Sequence, residues 1–221
     1  MKKTEQNLIL ISMLFVVSLV IANVLAGKVI DTGIPFIGGT IAIPGAVLAY
    51  AFTFLFTDIV NETWGKFYAK RMVLFGFFGQ ILATALIILT QPLPALVPEM
   101  QEAYMVILGQ NWVFVIGSMT AYFVSQLFDV HVFHRIKIKL MKKFDGDRKA
   151  RWIWNNVSTG LSQIIDTAIF ITIAFGFGYR WLFIEGMTTV LIGMIIGQYL
   201  VKLLIALLDT PIFYFLTRDR K

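Results

Sequence analysis

Residues 8–27 read LILISMLFVVSLVIANVLAG, a run of 20 residues without a charged side chain. A helix that crosses a bilayer needs about 20 predominantly apolar residues, so this run predicts a membrane-spanning helix. Lys2 and Lys3 precede the run, as basic residues precede the apolar run of a signal peptide. Such peptides have a shorter apolar run of about 7–15 residues, so we predict a helix that the mature protein retains.

Five further apolar segments follow the first one. They predict spans at about 43–61, 72–91, 111–130, 153–178 and 187–217. The whole chain is therefore predicted to be an all-α integral membrane protein with six transmembrane helices in one domain, residues 1–221. The composition agrees, because only 14% of the residues are charged, against about a quarter in soluble proteins. The last segment is long enough to tilt, or to break at Pro211.

The basic residues predict the orientation of the spans. Sixteen of the nineteen Lys and Arg lie before the first span, after the second, after the fourth or after the last. Since such residues collect in cytoplasmic loops, both termini are predicted to be cytoplasmic. The basic segment 131–152, with a turn at 145–147, is then an orientation signal that rests on anionic lipid, and no nucleic-acid partner is expected. The loop at 91–110 is predicted to be extracytoplasmic and irregular.

Three segments share a pattern in which an Asp is followed three residues later by Val or Ile and four residues later by Phe. They begin at Asp129, Asp166 and Asp209. A carboxylate is costly in hydrocarbon and persists there where it faces a bundle interior, a partner or water. Asp129 and Asp209 fall near the predicted cytoplasmic edge. Asp166 lies roughly 20 Å into the fifth span, near the midplane of a core about 30 Å thick. Lys202 lies at a similar depth, so it forms an ion pair with Asp166, contacts substrate, or pairs with Asp209 along its own helix.

Polar residues follow helical spacing in four of the six spans. These stripes are Tyr50, Thr53, Thr57 and Asn61; Ser118, Tyr122, Ser125 and Asp129; Asn155, Thr159, Ser162 and Asp166; and Gln198, Lys202 and Asp209. Polar side chains also join membrane helices to one another, but stripes on four spans exceed that need. We predict a water-accessible interior between these four spans. The first and third spans are nearly apolar and are expected to face lipid or another protein.

Several kinds of chemistry have no support in the sequence. The chain has no cysteine, no P-loop, no H-E-x-x-H and no G-x-S-x-G motif. With only His131 and His134, no metal site is expected. Paired intramembrane Asp residues occur in aspartic proteases, but no accompanying motif is present. We therefore predict a protein that is not an enzyme and has no cofactor.

Four stretches resemble the signatures of the queuosine precursor transporter family, also called the vitamin uptake transporter family. They are Phe56–Arg71 (FTDIVNETWGKFYAKR), Phe128–Phe133 (FDVHVF), Asn155–Phe170 (NNVSTGLSQIIDTAIF) and Lys202 followed by Pro211. The resemblance covers residues 8–217. It implies import of a 7-deazaguanine base such as preQ0 or preQ1 across the cell inner (plasma) membrane.

The resemblance also suggests where substrate binds. A carboxylate can accept two hydrogen bonds from a guanine-like edge, so Asp166 or Glu62 is expected to bind that edge. The residues assigned to substrate binding are Asp166, Glu62, Asp58, Asn61, Gln163, Asn156, Tyr50, Tyr122 and Lys202. Those assigned to gating or structure are Asp129, His131, Asp209 and Arg71. The ring is expected to stack on an aromatic side chain such as Tyr50, Tyr122 or Trp154.

Two mechanisms are consistent with the resemblance. The protein can work alone as a secondary transporter or facilitator, with alternating access about a central site. Alternatively, it is the substrate-binding subunit of an energy-coupling-factor importer, and the small residues Ala22 and Ala26 of the first span contact the partner. A homodimer that packs through the first or third span is also expected.

Overall fold

A computed structural model describes the backbone of residues 3–37, 39–143 and 151–217. It describes the side chains of these residues apart from 126, 129–143, 151–159, 206–207 and 209–217. Seven α-helices and one two-stranded sheet make up this part of the chain. In order they are α1 (Glu5–Leu25), β1 (Val29–Phe36), β2 (Gly39–Pro44), α2 (Ala46–Thr63), α3 (Lys66–Thr90), α4 (Pro98–Leu108), α5 (Asn111–Lys143), α6 (Arg151–Ile171) and α7 (Met187–Thr217).

The long apolar segments form helices as predicted, and the chain is an all-α integral membrane protein apart from its one hairpin. Within the described residues, five stretches are long and apolar enough to cross a membrane: Glu5–Leu25, Lys66–Thr90, Pro98–Ser125, Gly160–Gly178 and Met187–Ile205. Helix α2 has 18 residues but is not among them, because Asp58, Asn61 and Glu62 in its last turns lower its mean hydropathy. The count of six spans and the cytoplasmic termini remain predictions.

Helix α1 begins at a side-chain cap. The Thr4 hydroxyl accepts a hydrogen bond from the backbone N–H of Asn7, and Glu5 places a negative charge in the first turn, where the helix dipole favours it. At the far end of α2, Gly65 has a φ of 95°, a left-handed conformation that a side chain would disfavour. Its N–H bonds to the carbonyl of Val60, so the chain turns tightly from α2 into α3.

The hairpin between α1 and α2 was not predicted. Strands β1 and β2 pair antiparallel from Val29 opposite Pro44 to Phe36 opposite Gly39, with an irregularity between Asp31 and Pro35. The hairpin packs on α7 at Gly197, where an added Cβ atom would lie 2.3 Å from the side chain of Ile41. The lack of a side chain at Gly197 is therefore what allows the strand to approach the helix so closely.

Asp31 holds the end of the hairpin together. The Thr40 hydroxyl and the Gly33 N–H both bond to its carboxylate, and they lower the pKa of Asp31 below its ordinary value. The Gly33 nitrogen lies 2.9 Å from Asp31 Oδ1. Both bonds favour the ionised form, so they weaken when the carboxyl is protonated.

Two other sequence expectations are corrected by the helices, and one of two alternatives for the last span is removed. The segment 91–110 is not irregular throughout, because α4 starts at Pro98, a favourable first helical residue, and ends at Leu108. The segment 131–152 is not all loop, because α5 continues to Lys143. The predicted turn at 145–147 lies outside the described residues. Helix α7 runs from Met187 to Thr217 without a break at Pro211.

A buried polar network joins α1, α3 and α5. Asn23 donates to the Gln80 amide oxygen at 3.1 Å, Gln80 donates to Thr84 at 3.3 Å, and Asn111 donates to the Asn23 carbonyl at 3.2 Å. The Thr84 hydroxyl bonds in turn to the Asn111 amide oxygen at 3.4 Å. Such contacts join helices in a bilayer, where the hydrophobic effect does not drive helix association. The network holds α1, α3 and α5 together around the space described next.

Candidate functional site

A cavity of about 310 Å³ lies within the helix bundle, and all six long helices contribute to its wall. Its polar lining residues are Tyr50, Thr53, Thr57, Asp58, Ser118, Tyr122, Ser125, Ser162, Gln163, Asp166, Gln198 and Lys202. These residues come from α2, α5, α6 and α7, which are the four spans predicted to surround a polar interior. Helical spacing brings them to one space, as the sequence stripes indicated.

An ion pair lies at the centre of the polar wall. Lys202 Nζ of α7 lies 2.8 Å from Asp166 Oδ2 of α6, and it also donates to the Thr167 hydroxyl at 3.1 Å. The side chain of Lys202 is 9% exposed and that of Asp166 is 22% exposed. Of the three possibilities that the sequence left open for Lys202, the structure shows the pair with Asp166. Since both belong to the cavity wall, a ligand in the cavity would meet a carboxylate and an ammonium side by side.

Hydroxyl groups complete the surroundings of Asp166. The Ser125 hydroxyl of α5 donates to Asp166 Oδ1 at 3.4 Å. The Tyr50 hydroxyl lies in hydrogen-bonding contact with Ser118, close enough to Asp166 to be affected by its charge. Residues from α2, α5, α6 and α7 therefore converge on this one carboxylate. The cost of placing it inside the membrane is lowered by these partners.

The opposite wall of the cavity is apolar and comes from α1 and α3. Phe15 and Leu19 of α1 and Phe77 of α3 line it, and the Phe77 ring packs edge-on against Tyr122 at 5.0 Å between centroids. The expectation that the first and third spans only face lipid or another protein is therefore corrected. One face of each helix is exposed, whereas the other contributes to the site. The homodimer through these spans remains a prediction.

Two of the predicted substrate-binding residues lie apart from the cavity. Asp58 is in its wall, but Asn61 and Glu62, one turn further along α2, are exposed and not among the lining residues. The reason is geometric, because the cavity-facing part of α2 runs from Tyr50 to Asp58. Their contact with substrate remains a prediction that this arrangement does not favour.

Four predicted side chains, Asn156, Asp129, His131 and Asp209, lie outside the described residues, as does Trp154. Arg71 is exposed at the start of α3, where its guanidinium lies 4.3 Å from the centre of the Phe67 ring, a cation–π contact. Its gating role also stays a prediction. Among the side chains that the structure describes, no three His, Asp or Glu come together as a metal site would require.

An aromatic cluster adjoins the cavity at Phe170, which lines it. It is centred on Phe175, which stacks on Tyr179 at 5.7 Å and packs against Phe114, Phe170 and Trp181 at 5.6–6.3 Å between centroids. Phe175 is fully buried and lies in a π-helical segment, Thr172–Gly178, that continues α6. Such segments are rare and occur frequently at functional sites. The sequence analysis missed this cluster, because aromatic residues in an apolar segment are not distinguished from lipid-facing ones.

Two buried glutamine side chains line the cavity, and the sequence analysis predicted only one of them as a substrate-binding residue. Gln163 was assigned to substrate, but Gln198 was noted only as part of a polar stripe. Both line the cavity, and the Oε1 atom of each is buried without a hydrogen-bond partner among the described residues. The signal that could have identified Gln198 is its position one turn before Lys202 on the same helix face.

A bundle of apolar helices around a small, partly polar cavity with an intramembrane ion pair defines a membrane transporter. The chain matches the family described as "Putative vitamin uptake transporter" over residues 44–216, which is more than three quarters of its length. The protein belongs to this vitamin uptake transporter family, as its signatures predicted. The prediction that it transports rather than catalyses is confirmed by this membership.

A curated relative agrees with the family assignment. The protein named "Probable queuosine precursor transporter" of Bacillus subtilis (strain 168) is 30% identical over 168 residues, which cover 75% of this chain and 67% of that protein. No solved structure matches the chain significantly.

Proposed function

We propose that this transporter imports a queuosine precursor, a 7-deazaguanine base such as preQ0 or preQ1, across the cell inner membrane. The observation that carries the proposal is the Asp166–Lys202 pair in the wall of the central cavity. A relative that shares 30% of its residues carries the queuosine precursor name, which supports the same substrate class. The cavity volume of about 310 Å³ is at the small end of the range for ligand sites, which suits one bicyclic base.

The ion pair can form hydrogen bonds with the guanine-like edge of the base. Asp166 accepts from Lys202 with one oxygen and from Ser125 with the other. Each carboxylate oxygen has a second lone pair, so Asp166 can also accept the two adjacent N–H groups of the base. The Lys202 ammonium has three donors, and two of them bond to Asp166 and Thr167. The third can bond to the carbonyl oxygen next to those N–H groups.

Aromatic side chains provide surfaces on which the flat ring can stack. Tyr50, Phe77, Tyr122 and Phe170 all line the cavity. The Tyr50 and Phe170 rings meet edge-on at 6.4 Å, as Phe77 and Tyr122 do at 5.0 Å. A bicyclic base between these pairs would exchange water for aromatic contacts on both faces, which favours a planar ligand.

Alternating access would require the Phe175 cluster to open. On the predicted orientation this cluster closes the extracytoplasmic end, because it lies near the end of α6 and the beginning of α5. Binding at a central site between two ends that open in turn is the usual arrangement of secondary transporters. We infer that the described conformation holds the outer end shut while the cavity lies towards the cytoplasmic half of the bundle.

The stand-alone mechanism is the one we propose. The alternative, a subunit of an energy-coupling-factor importer, relied on Ala22 and Ala26 as a contact for a partner. Both are fully buried in the core of this chain, against residues such as Phe114 and Phe175. A partner could reach them only after α1 had moved away from its own bundle.

Uptake by intact cells tests the proposal. The chain is expressed in a host that lacks its own precursor importer and any energy-coupling-factor module, and accumulation of a radiolabelled 7-deazaguanine base is measured. We expect uptake by the wild type and none by Asp166→Asn, since the carboxylate that accepts the base edge is lost. Glu62→Gln is the matched control, because Glu62 is exposed outside the cavity.

Two results would contradict the proposal. Wild-type cells without accumulation would remove the stand-alone mechanism. Full uptake by Asp166→Asn, at equal protein levels in the membrane, would remove the carboxylate from substrate recognition; if Glu62→Gln then failed to transport, the role would move to Glu62.

A further inference from the structure

Two glutamine side chains in the cavity wall have unused hydrogen-bonding capacity. Gln163 of α6 and Gln198 of α7 both line the cavity, and Oε1 of each is buried without a partner among the described residues. Gln198 is 1% exposed. Buried side-chain amides are nearly always bonded, and each exception needs an explanation such as a ligand or a water.

A third buried glutamine shows the ordinary situation in the same bundle. Gln80, also 1% exposed, accepts from Asn23 and donates to Thr84, and it does not line the cavity. Buried amide oxygens without a partner among the described residues also occur at Asn23 and Gln110, which do not line the cavity. Those of Gln163 and Gln198 differ in that they belong to the cavity wall, where a ligand can supply the missing donors.

The two glutamines lie close to the ion pair, on the two helices that form it. Gln163 precedes Asp166 by three residues on α6, and Gln198 precedes Lys202 by four residues on α7. Each is therefore about one helical turn from a member of the pair along its own helix. A ligand that contacts the ion pair can reach both amides.

We propose that Gln163 and Gln198 are specificity-determining residues that accept hydrogen bonds from two different N–H groups of the bound base. This inference rests on the proposed function. A 7-deazaguanine has an amino group at its pyrimidine end and a pyrrole N–H at the other, so it has one donor for each amide. A nucleoside lacks the pyrrole N–H, because the sugar replaces that hydrogen. The site therefore selects free bases with donors at both ends.

Binding to the purified full-length protein in nanodiscs tests this arrangement. The probes are 7-deazaguanine, 7-deazahypoxanthine, which lacks the amino group, and the furo analogue, in which a ring oxygen replaces the pyrrole N–H. Isothermal titration gives two affinity ratios, each against 7-deazaguanine. For the wild type we expect both ratios to be roughly 3- to 10-fold or more, the effect of one hydrogen bond.

Methionine substitutions then assign each ratio to a residue. Gln163→Met and Gln198→Met keep the length of the side chain but remove the amide. Each is expected to reduce one ratio and to leave the other unchanged, and the two variants are expected to affect different ratios. The ratio for the amino group should stay above one, because Asp166 also accepts from that group. Gln80→Met is the matched control, expected to lower thermal stability without changing either ratio.

The outcomes separate the inference from the proposed function. A wild type that binds none of the probes contradicts the proposed function itself. A wild type that binds 7-deazaguanine while both variants keep both ratios contradicts the role of the glutamines, and the same ratio reduced in both variants contradicts their assignment to different N–H groups. If a variant does not fold, the wild-type ratios still decide, since equal binding of all three probes overturns the inference.

Discussion

The Asp166–Lys202 pair provides the sharpest test of how the site is held together. The perturbation is a double-mutant cycle with Asp166→Asn, Lys202→Met and the double variant. At the observed 2.8 Å, two unit charges attract by about 6 kcal/mol at an effective dielectric constant of 20. Desolvation of each ion opposes most of this attraction, so the net contribution of the pair is far smaller.

Removing one partner is expected to cost more than the pair contributes. Lys202→Met leaves the Asp166 carboxylate with hydroxyl partners only, and loss of one member of a fully buried pair costs about 3–5 kcal/mol. Asp166 is still 22% exposed, so we expect about 2–4 kcal/mol for each single variant. The double variant should lose at least about 1 kcal/mol less than the sum of the two singles.

The measurement is the unfolding equilibrium in mixed detergent micelles, followed by circular dichroism. Thr167→Val is the matched control, because it removes one hydrogen bond of Lys202 and keeps the charge pair. That bond should contribute about 0.6–1.5 kcal/mol, as side-chain hydrogen bonds do in bilayers. Additive losses within about 0.5 kcal/mol would refute the reasoning, since they would mean that the two charges do not interact.

Three further predictions concern the outer end of the cavity, the hairpin, and the contact between the hairpin and α7. Phe175→Ala removes the centre of the aromatic cluster, so it should open the outer end of the cavity. It should also lower the free energy of unfolding by about 3–5 kcal/mol. The chain has no cysteine, so access to the cavity can be measured by labelling Ser118→Cys with an impermeant maleimide from outside. The pKa of Asp31 is lowered in the folded state, so its contribution to hairpin stability is complete above the ordinary carboxyl pKa of about 3.9 and is lost as the pH falls through the lower folded-state pKa. The protection factors of the hairpin amides, which are exchange rates corrected for the intrinsic effect of pH, should therefore fall in acid, and Asp31→Asn should remove this acid dependence. Gly197→Ala should destabilise the protein by about 1–3 kcal/mol in the same micelle assay, because its Cβ atom would meet Ile41 at 2.3 Å.

Each of these predictions has a control and a contradicting result. Phe177→Ala removes an exposed ring and should leave the labelling of Ser118→Cys slow; equal labelling in both variants would show that the cluster is not the closure. Gly39→Ala places a Cβ atom in open space and should cost little, so a loss as large as that of Gly197→Ala would remove the argument from close packing. For the hairpin, protection factors that do not change in acid would show that Asp31 does not hold it.

The elements that the sequence missed had recognisable signals. Residues 28–45 (KVIDTGIPFIGGTIAIPG) contain β-branched residues around a Gly-rich centre, the pattern of a hairpin, but they were treated only as a connection between spans. Pro98 followed by Glu99 is a helix start, and α4 begins there. Neither segment is long enough to cross a bilayer, so the apolar length that predicts the spans does not indicate either of them.

The class of the protein was determined by the sequence alone, and so were the helices that carry the polar site. The length of an apolar run and the cost of a carboxylate in hydrocarbon are properties of local sequence, so they indicate spans and interior faces without coordinates. The stripes through Tyr50, Tyr122, Asp166 and Lys202 accordingly lead to the cavity.

Only the tertiary structure decided which of these side chains meet. The choice between the possible partners of Lys202 depended on the rotation of α7 against α6, which no local pattern specifies. The apolar wall from α1 and α3, the exclusion of Glu62, and the unpaired oxygens of Gln163 and Gln198 likewise follow from how six helices pack. Packing sets distances between residues far apart in the chain, and hydrogen bonds and ion pairs form only at those distances.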